Sequence, residues 1–484
     1  MRNSPGLRAV LALLLSCSGV AALAAPRAPA VPAAASAPAR ETQALGLDEV
    51  LTSSRFHAPQ VLEALARVRG AQGKLLSAEG AFDTVFSAGA DQRMGYYDGT
   101  EVGALVTKPL ENTGGSVYGG YRISRGTFPI YENQNFTAEG GELKVGAVFA
   151  LLRDRMIDDR RFGRLLAEGD IALADTERMM VAVGVQTRAI QAYNAWVVAG
   201  LRLKVYRDLL ALARERQSGL KRQVEEGARP RIILTENEQN ILRRQTLVAQ
   251  SEQALAIAAT TLSLYLRDAD GRPVVVSPDR LPDNFGPPLP LPARPDAAID
   301  KRPDVRMLDI RMRQASQRIA LDRNSLLPKL DFKVEASNDF GGTGAGGSSF
   351  NGFDAKVGVT FSVPLEQRGA RGRIAQTNAE LDAFQQRRRF LEDQIEADIS
   401  GLGIAVENTA RLVTLASDEA ARANDMAEAE RRRFAAGASD FFLVNVREES
   451  AADAQVRRID ARFRQIVAHA DLAAATADLD ALGL

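Results

Sequence analysis

Residue types that commonly carry chemistry are sparse in this chain of 484 residues. Its two histidines, His57 and His469, lie far apart, and Cys17 is the only cysteine, so a zinc site with nitrogen and sulfur ligands is not expected. Residues 342–347 fit the spacing G-x-G-x-x-G, which binds dinucleotides only where it follows a strand and opens a helix. Here another strand pattern follows, which indicates a hairpin loop. The sequence shows no nucleophile–base constellation, and we expect a protein that is not an enzyme and has no cofactor or metal.

The first 24 residues have the pattern of a secretory signal peptide. Arg2 and Arg8 form its charged start, an apolar run follows at residues 9–15, and small residues at 22–24 suit cleavage. The apolar run is too short to span a membrane as a helix. We therefore expect an exported protein of bacterial origin.

The role of Cys17 stays open at this point. It follows Leu-Leu-Leu-Ser, which resembles a bacterial lipidation motif but has Leu15 where a small residue is usual. The alternatives are a lipidation site and an ordinary signal-peptide cysteine. Residues 25–44 are rich in Pro and Ala and predict a disordered spacer.

The charge balance excludes one class of partner. The chain has 61 basic and 61 acidic side chains, so its net charge is zero. A protein that binds nucleic acid normally has a basic excess. We expect no nucleic-acid partner.

Three gap-free alignments of the chain with itself indicate an internal duplication. The aligned pairs are residues 57–89 with 301–333, residues 144–152 with 356–364, and Gly227-Ala228 with Gly437-Ala438. They occur in the same order in both copies, and each copy predicts helix, strand, strand, long helix, helix. The first repeat is assigned to residues 45–268 and the second to 301–480, joined by the Pro-rich linker 269–300.

Four stretches alternate between apolar and polar residues, as strands with one apolar face do. The predicted strands lie near residues 82–91, 142–152, 328–338 and 353–364. Each can extend to about ten residues, the length of a transmembrane β-strand. The segment 91–142 is interpreted as an insertion at the outer end of the first hairpin.

The predicted helices are longer than a compact domain needs. They cover residues 159–226, 231–268, 372–436 and 441–480. Apolar residues recur along them in steps of three, four and seven, which is typical of coiled-coil packing. At 1.5 Å per residue, the longest reach about 100 Å.

Strands with one apolar and one charged face fit a membrane barrel better than a soluble sandwich, which would need more strands. Open strand edges in lipid cost several kcal/mol for each unpaired backbone group. Four strands are too few to close a barrel, because the smallest have about eight. Three chains together would supply twelve.

Three segments carry a specific family resemblance. They are RPDVRMLDIRMRQASQRIALDRNSLLPKLDF, KVGVTFSVPLEQRGARGRIAQTNAEL and RRRFAAGASDFFLVNVREESAADAQ. Together they resemble the TolC family of outer-membrane efflux channels, over roughly residues 45–480. The resemblance implies an α+β membrane protein: a homotrimer with a twelve-stranded β-barrel in the cell outer membrane and a periplasmic α-helical, coiled-coil tunnel.

The resemblance also implies a function and partners. The chain would be the passive exit channel of a tripartite efflux pump, supplied by an inner-membrane transporter through a periplasmic adaptor protein. Type I protein secretion uses a similar channel and stays open as an alternative. A periplasmic adaptor or a structural coiled-coil protein would not need the duplicated strands.

In such channels the two interruptions are helix turns at the periplasmic entrance, where the adaptor docks. The matching positions are Gly227, Arg229, Arg231, Gly437, Ser439 and Asp440. Two interpretations stay open: Asp440 pairs with Arg229 or Arg231 and holds the entrance closed, or these are solvated turn residues, since exposed pairs contribute only about 0–1 kcal/mol. Acidic residues that ring the entrance in the best-known member fall here on Leu443 and Val446, so a cation-binding ring is not supported.

Overall fold

The computed structural model describes residues 43–128, 136–292, 299, 302–344 and 352–484. The chain divides into two units, Met1–Gln43 and Ala44–Leu484, and every element below belongs to the second. The predicted signal peptide, most of the spacer and Cys17 lie outside the described residues, as do parts of the linker 269–300 and residues 129–135 and 345–351.

The described residues form helices and one antiparallel sheet. The helices are α1 (Leu47–His57), α2 (Pro59–Glu79), α3 (Asp159–Glu225), α4 (Ile232–Leu262), α5 (Pro303–Asn324), α6 (Arg368–Ala435) and α7 (Phe441–Ala475). The strands are β1 (Val85–Arg93), β2 (Gly99–Pro109), β3 (Gly115–Gly126), β4 (Glu142–Ala150), β5 (Lys329–Asp339) and β6 (Gly352–Ser362). The strands pair in chain order from β1 to β6.

The sheet corrects the sequence-based strand count. The prediction of four strands per chain is wrong, because the segment read as an insertion, 91–142, contains β2 and β3. Gly115 and Gly119 take positions on the apolar face there, and Lys108 lies in register with Val117 on the same face. A twelve-stranded barrel therefore no longer follows from three copies, which would supply eighteen strands.

The six strands together form a sheet with one apolar face and one polar face. On one face Phe332 lies opposite Val359, and Val334 lies opposite Val357. On the other face Glu335 lies opposite Lys356. The apolar face is solvent-exposed in the single chain: Phe353, Val357 and Phe361 are 74%, 69% and 63% exposed. A sheet with such a face requires a further apolar environment.

Helices α3 and α6 have 67 and 68 residues and contain no proline, so each extends for about 100 Å. Their buried residues recur at coiled-coil spacing, for example Ile395, Ile399 and Val406 in α6. Asp158 starts α3 by accepting a hydrogen bond from the amide of Arg161. None of the described helices combines the length and the hydropathy of a membrane-spanning segment.

The largest apolar core lies where α1, α3, α4 and α7 meet. Trp196 of α3 is fully buried there among Val50, Leu262, Ile466 and Leu482. This core fixes the first repeat to the last helix of the second. It leaves the helix turns at 226–231 and 436–440 clear of the main packing.

Candidate functional site

Two glycine turns end the long helices in the same way. Gly227 and Gly437 have φ angles of +71° and +74°, which glycine adopts without a Cβ clash. After α3, the amide of Ala228 donates to the carbonyl of Gln223 at 2.8 Å; after α6, the amide of Ala438 donates to that of Arg433, also at 2.8 Å. Both patterns are Schellman turns, which satisfy the last helical carbonyls. The duplicated sequence thus encodes duplicated turns.

The second turn is fixed by polar contacts on both sides. Asp440 caps α7, its carboxylate accepting a hydrogen bond from the amide of Leu443 at 2.7 Å. The Ser439 hydroxyl donates to the carboxylate of Glu430, which is buried and also pairs with Arg433 at 3.3 Å. Ser439 and Asp440 therefore fix the turn to the end of α6 and to the start of α7.

Within the described residues of the single chain, Asp440 forms no ion pair with Arg229 or Arg231. Asp440 is engaged as a helix cap, and the guanidinium of Arg229 lies over the ring of Phe434, 4.8 Å from its centroid. Arg231 is exposed at the start of α4. The two turns are neighbours, but a cation–aromatic contact joins them rather than a salt bridge.

The residues after each turn are partly exposed. Phe441 is buried between Phe434 and the guanidinium of Arg216. In contrast, Ile232 is 60% exposed and Phe442 74% exposed. The turns thus present apolar side chains to the surroundings of the chain.

A buried ionic cluster lies behind the turns and joins both helical hairpins. Glu448 of α7 accepts from Arg216 of α3 and from Arg244 of α4. Asn445 also accepts from Arg216, at 2.9 Å, and Arg244 donates to the carbonyl of Leu209 at 2.7 Å. Arg244 and the side chain of Glu448 are each 1% exposed, so this carboxylate holds two cations away from water.

Burial changes the acid–base properties of this cluster. It lowers the pKa of Arg216 from its usual value, and the nearby Glu448 opposes that shift. A buried guanidinium is stable only with such a partner. Glu448 therefore holds α3, α4 and α7 in one arrangement close to the turns.

Sequence reasoning did not find this cluster, although one signal was present. Asn237 and Arg244 are seven residues apart on α4, at the spacing where a coiled coil places apolar residues, and both are buried. Glu238 aligns with Glu448 in the duplication, but it lies on the exposed side of α4 and accepts a hydrogen bond from Gln217. The two repeats therefore share turns but not this ionic cluster.

The site has the features of a structural junction. Within the described ranges, no group of three or more His, Cys, Asp or Glu side chains is placed to hold a metal ion. What the arrangement provides is two neighbouring turns, exposed apolar residues beside them and a buried ionic cluster behind them.

Long paired helices continued by an amphipathic antiparallel sheet define the TolC-like class of fold. Residues 295–478, nearly the whole second repeat, match the family described as outer membrane efflux protein. This match and the fold confirm the resemblance drawn from the sequence. No curated protein matches the chain by sequence.

Three solved structures show the same fold. The outer membrane protein VceC of Vibrio cholerae is 14% identical, with a TM-score of 0.60 over 89% of this chain and 95% of that one. The open-state MtrE outer membrane channel of Neisseria gonorrhoeae is 14% identical, with a TM-score of 0.64 over 89% and 88%. The Campylobacter jejuni CmeC outer membrane channel is 12% identical, with a TM-score of 0.61 over 89% and 85%. At sequence identities of 12–14%, the similarity to these three proteins shows a shared fold.

Proposed function

We propose that this chain is the exit channel of a tripartite efflux pump in the bacterial outer membrane. The observation that carries the proposal is the six-stranded sheet with an exposed apolar face, joined to helices about 100 Å long. Such a face suits lipid, and the charged face behind it suits a water-filled pore. The helices are long enough to extend far into the periplasm.

The sheet alone cannot close, so the chain functions as an oligomer. Strands β1 and β6 are the edges of the sheet, and unpaired backbone groups in lipid cost several kcal/mol each. Pairing β6 of one copy with β1 of the next removes every edge. The family resemblance supports three copies.

The glycine turns are the end of the helices at which a periplasmic adaptor docks. Exposed Ile232 and Phe442 supply the apolar contacts, and Arg229 and Arg231 supply charge. The inner-membrane transporter then delivers substrate through that adaptor. Because the matching family is described as efflux proteins, we propose efflux rather than type I protein secretion.

Deletion and complementation in the native host test this function. Cells that lack the chain should accumulate fluorescent dyes and toxic compounds, and the intact gene should restore their export. The protein should fractionate with the outer membrane, and crosslinking in living cells should capture an adaptor on single-cysteine variants at Ile232 or Phe442. Unchanged accumulation, together with a protein recovered in the soluble periplasmic fraction, would refute the proposal.

A further inference from the structure

Strands β2 and β3 form a hairpin that has no counterpart among the described residues of the second repeat. In the second repeat, β5 and β6 pair directly with each other. In the first repeat, β2 and β3 separate β1 from β4, the two strands that align with β5 and β6. The hairpin, residues 99–126, thus adds two strands to a duplicated pattern that otherwise needs four.

This hairpin is a continuous part of the sheet. β2 pairs with β1 from Gly99 to Thr107, and β3 pairs with β4 from Gly115 to Arg122. Its side chains keep the same two faces as the other strands: Val102 and Val106 lie in register with Ala90 and Phe86. A hairpin folded over the sheet as a plug would have no reason to keep that alternation.

Side chains on the polar face fasten the hairpin to strands further along. The Tyr118 hydroxyl of β3 reaches across β4 and donates to the carboxylate of Glu335 on β5 at 2.5 Å. Its ring covers Gly146, where an added Cβ would lie 2.5 Å from the ring. An aromatic ring over a strand glycine is a recognised way to fix register. Arg122 similarly contacts Glu142 of β4 at 2.7 Å and Glu101 of β2 at 3.5 Å.

The turn of the hairpin is fixed to the junction between the sheet and the helices. Arg161, 8% exposed near the start of α3, donates to the carbonyl of Asn112 at 3.3 Å and to that of Asp154 at 2.5 Å. The amide of Ala150 donates to the carbonyl of Gly114 at 2.7 Å. The turn end of the hairpin is therefore fixed to β4 and to the start of α3.

We propose that the hairpin 99–126 sets the width of the outer-membrane pore and admits polar solutes too bulky for a twelve-stranded barrel. This inference rests on the proposed function and on its three copies. Six strands per copy give eighteen, and barrel diameter grows roughly linearly with strand number, so the pore is about 1.5-fold wider than one of twelve strands. Barrels of 16–18 strands enclose an aqueous channel.

The polar face favours solutes of either charge. Lys329, Lys333 and Lys356 each lie within 3.5 Å of an acidic side chain on their own strand, Asp331, Glu335 and Asp354 respectively. Paired charges of alternating sign leave little net field along the wall. The pore that the hairpin widens therefore selects by size rather than by the sign of the charge.

The hairpin can be deleted at two backbone positions that already lie side by side, which provides a variant matched to the full-length protein. The amide of Thr127 donates to the carbonyl of Asp98 at 2.8 Å, so the two ends left by removing residues 99–126 are already adjacent. β1 and β4 would remain antiparallel to each other after the excision. Electron cryomicroscopy of the full-length assembly in detergent should show eighteen strands, and the excised variant should show twelve.

Pore width is tested in intact cells with a cysteine on the polar face. Thr360 of β6 lies on that face in both variants, opposite Asp331. In each variant carrying Thr360→Cys, maleimide-coupled polyethylene glycols of increasing size are added from outside the cell. The largest one that still labels the cysteine should be bulkier for the full-length protein than for the protein that lacks residues 99–126. The proteins without this substitution, whose only cysteine is Cys17, are the blanks.

Two results would overturn the inference. One is a full-length assembly of twelve strands with residues 99–126 outside the wall, which can be seen even if the excised variant fails to assemble. The other is an equal size limit in both variants. If export is retained alongside either result, the proposed function stands and only the inference on pore width falls. An assembly without a barrel would overturn the inference and the proposed function together.

Discussion

The guanidinium of Arg244 in α4 lies 3.1 Å from the carboxylate of Glu448 in α7, and both side chains are 1% exposed. This contact joins the helical hairpin of the first repeat to that of the second. It also places a charge pair where the heptad pattern calls for apolar residues. Because Arg216 shares the same carboxylate, Glu448 neutralises both cations.

Removing the carboxylate should therefore destabilise the helices strongly. Glu448→Gln leaves Arg216 and Arg244 buried without a counter-charge, and breaking a buried pair costs about 3–5 kcal/mol. Glu449→Gln on the same helix breaks the more exposed pair with Arg243 and should cost about 0–1 kcal/mol. The free energy of unfolding in urea measures both, and equal losses would show that the buried cluster does not stabilise this junction.

A side chain at the glycine of the turn after α6 should be destabilising because of the backbone conformation alone, without any steric clash with neighbouring residues. Gly437 has a φ of +74° and open space around its Cβ position, so Gly437→Ala should cost about 1–2 kcal/mol. Gly401, inside α6 and equally open, provides the control, because Gly→Ala within a helix stabilises by about 1 kcal/mol. Thermal unfolding should shift in opposite directions, with export impaired only by Gly437→Ala. Shifts of the same sign would argue against the turn geometry.

Asp440 should matter as a helix cap and not as a charge. Asp440→Asn keeps a side-chain oxygen for the amide of Leu443, so single-channel conductance and stability should stay close to wild type. Asp440→Ala removes the cap and should cost about 0.5–2 kcal/mol. If Asp440→Asn alone raised the conductance, the charge-pair gate expected from the sequence would regain support.

Stability should depend on pH through Asp471 of α7. Burial raises the pKa of this carboxyl above its ordinary value of 3.8, although the side chain of Gln191 donates to it and lowers the pKa in part. The folded protein therefore holds this proton more tightly than the unfolded chain. Its contribution to stability is lost as the pH rises through the raised pKa.

Asp471→Asn should consequently be more stable than wild type at neutral pH. The difference should shrink as the pH falls towards 3.8 and below, where the wild-type carboxyl is protonated in both states. Thermal melting across pH measures this, with Asp393→Asn at an exposed position of α6 as the control. A difference that is constant with pH would contradict the assignment.

The helices could be predicted closely from the sequence because their ends carry local signals. Helix α3 ends at Glu225 and α6 at Ala435, each within one residue of the predicted end, since Gly227 and Gly437 adopt the left-handed conformation that stops a helix. Strands β5 and β6 could also be predicted from a local signal, their alternation of apolar and polar residues. The alternation of Phe353, Val357 and Phe361 with charged residues has no glycine at the apolar positions.

The remainder depends on contacts between distant segments. β3 carries Gly115 and Gly119 on its apolar face, so its alternation is hidden, and its place in the sheet is visible only through contacts such as Tyr118 with Glu335. The Arg244–Glu448 pair spans 204 residues of sequence. No local sequence pattern distinguishes the buried arginine from the many exposed ones. The Asp440–arginine pair considered from the sequence rested on opposite charges alone.

The central claim is that the apolar face of the sheet contacts lipid, and one pair of substitutions on β6 tests it most directly. Val357 lies on that face and Thr360 on the polar face, opposite Asp331. Arginine at the centre of a lipid-facing strand costs about 2–4 kcal/mol. Val357→Arg should sharply reduce the amount of assembled protein in purified outer membranes, while Thr360→Arg should leave it near wild type. Equal amounts of assembled protein in the two variants would contradict a membrane-embedded sheet.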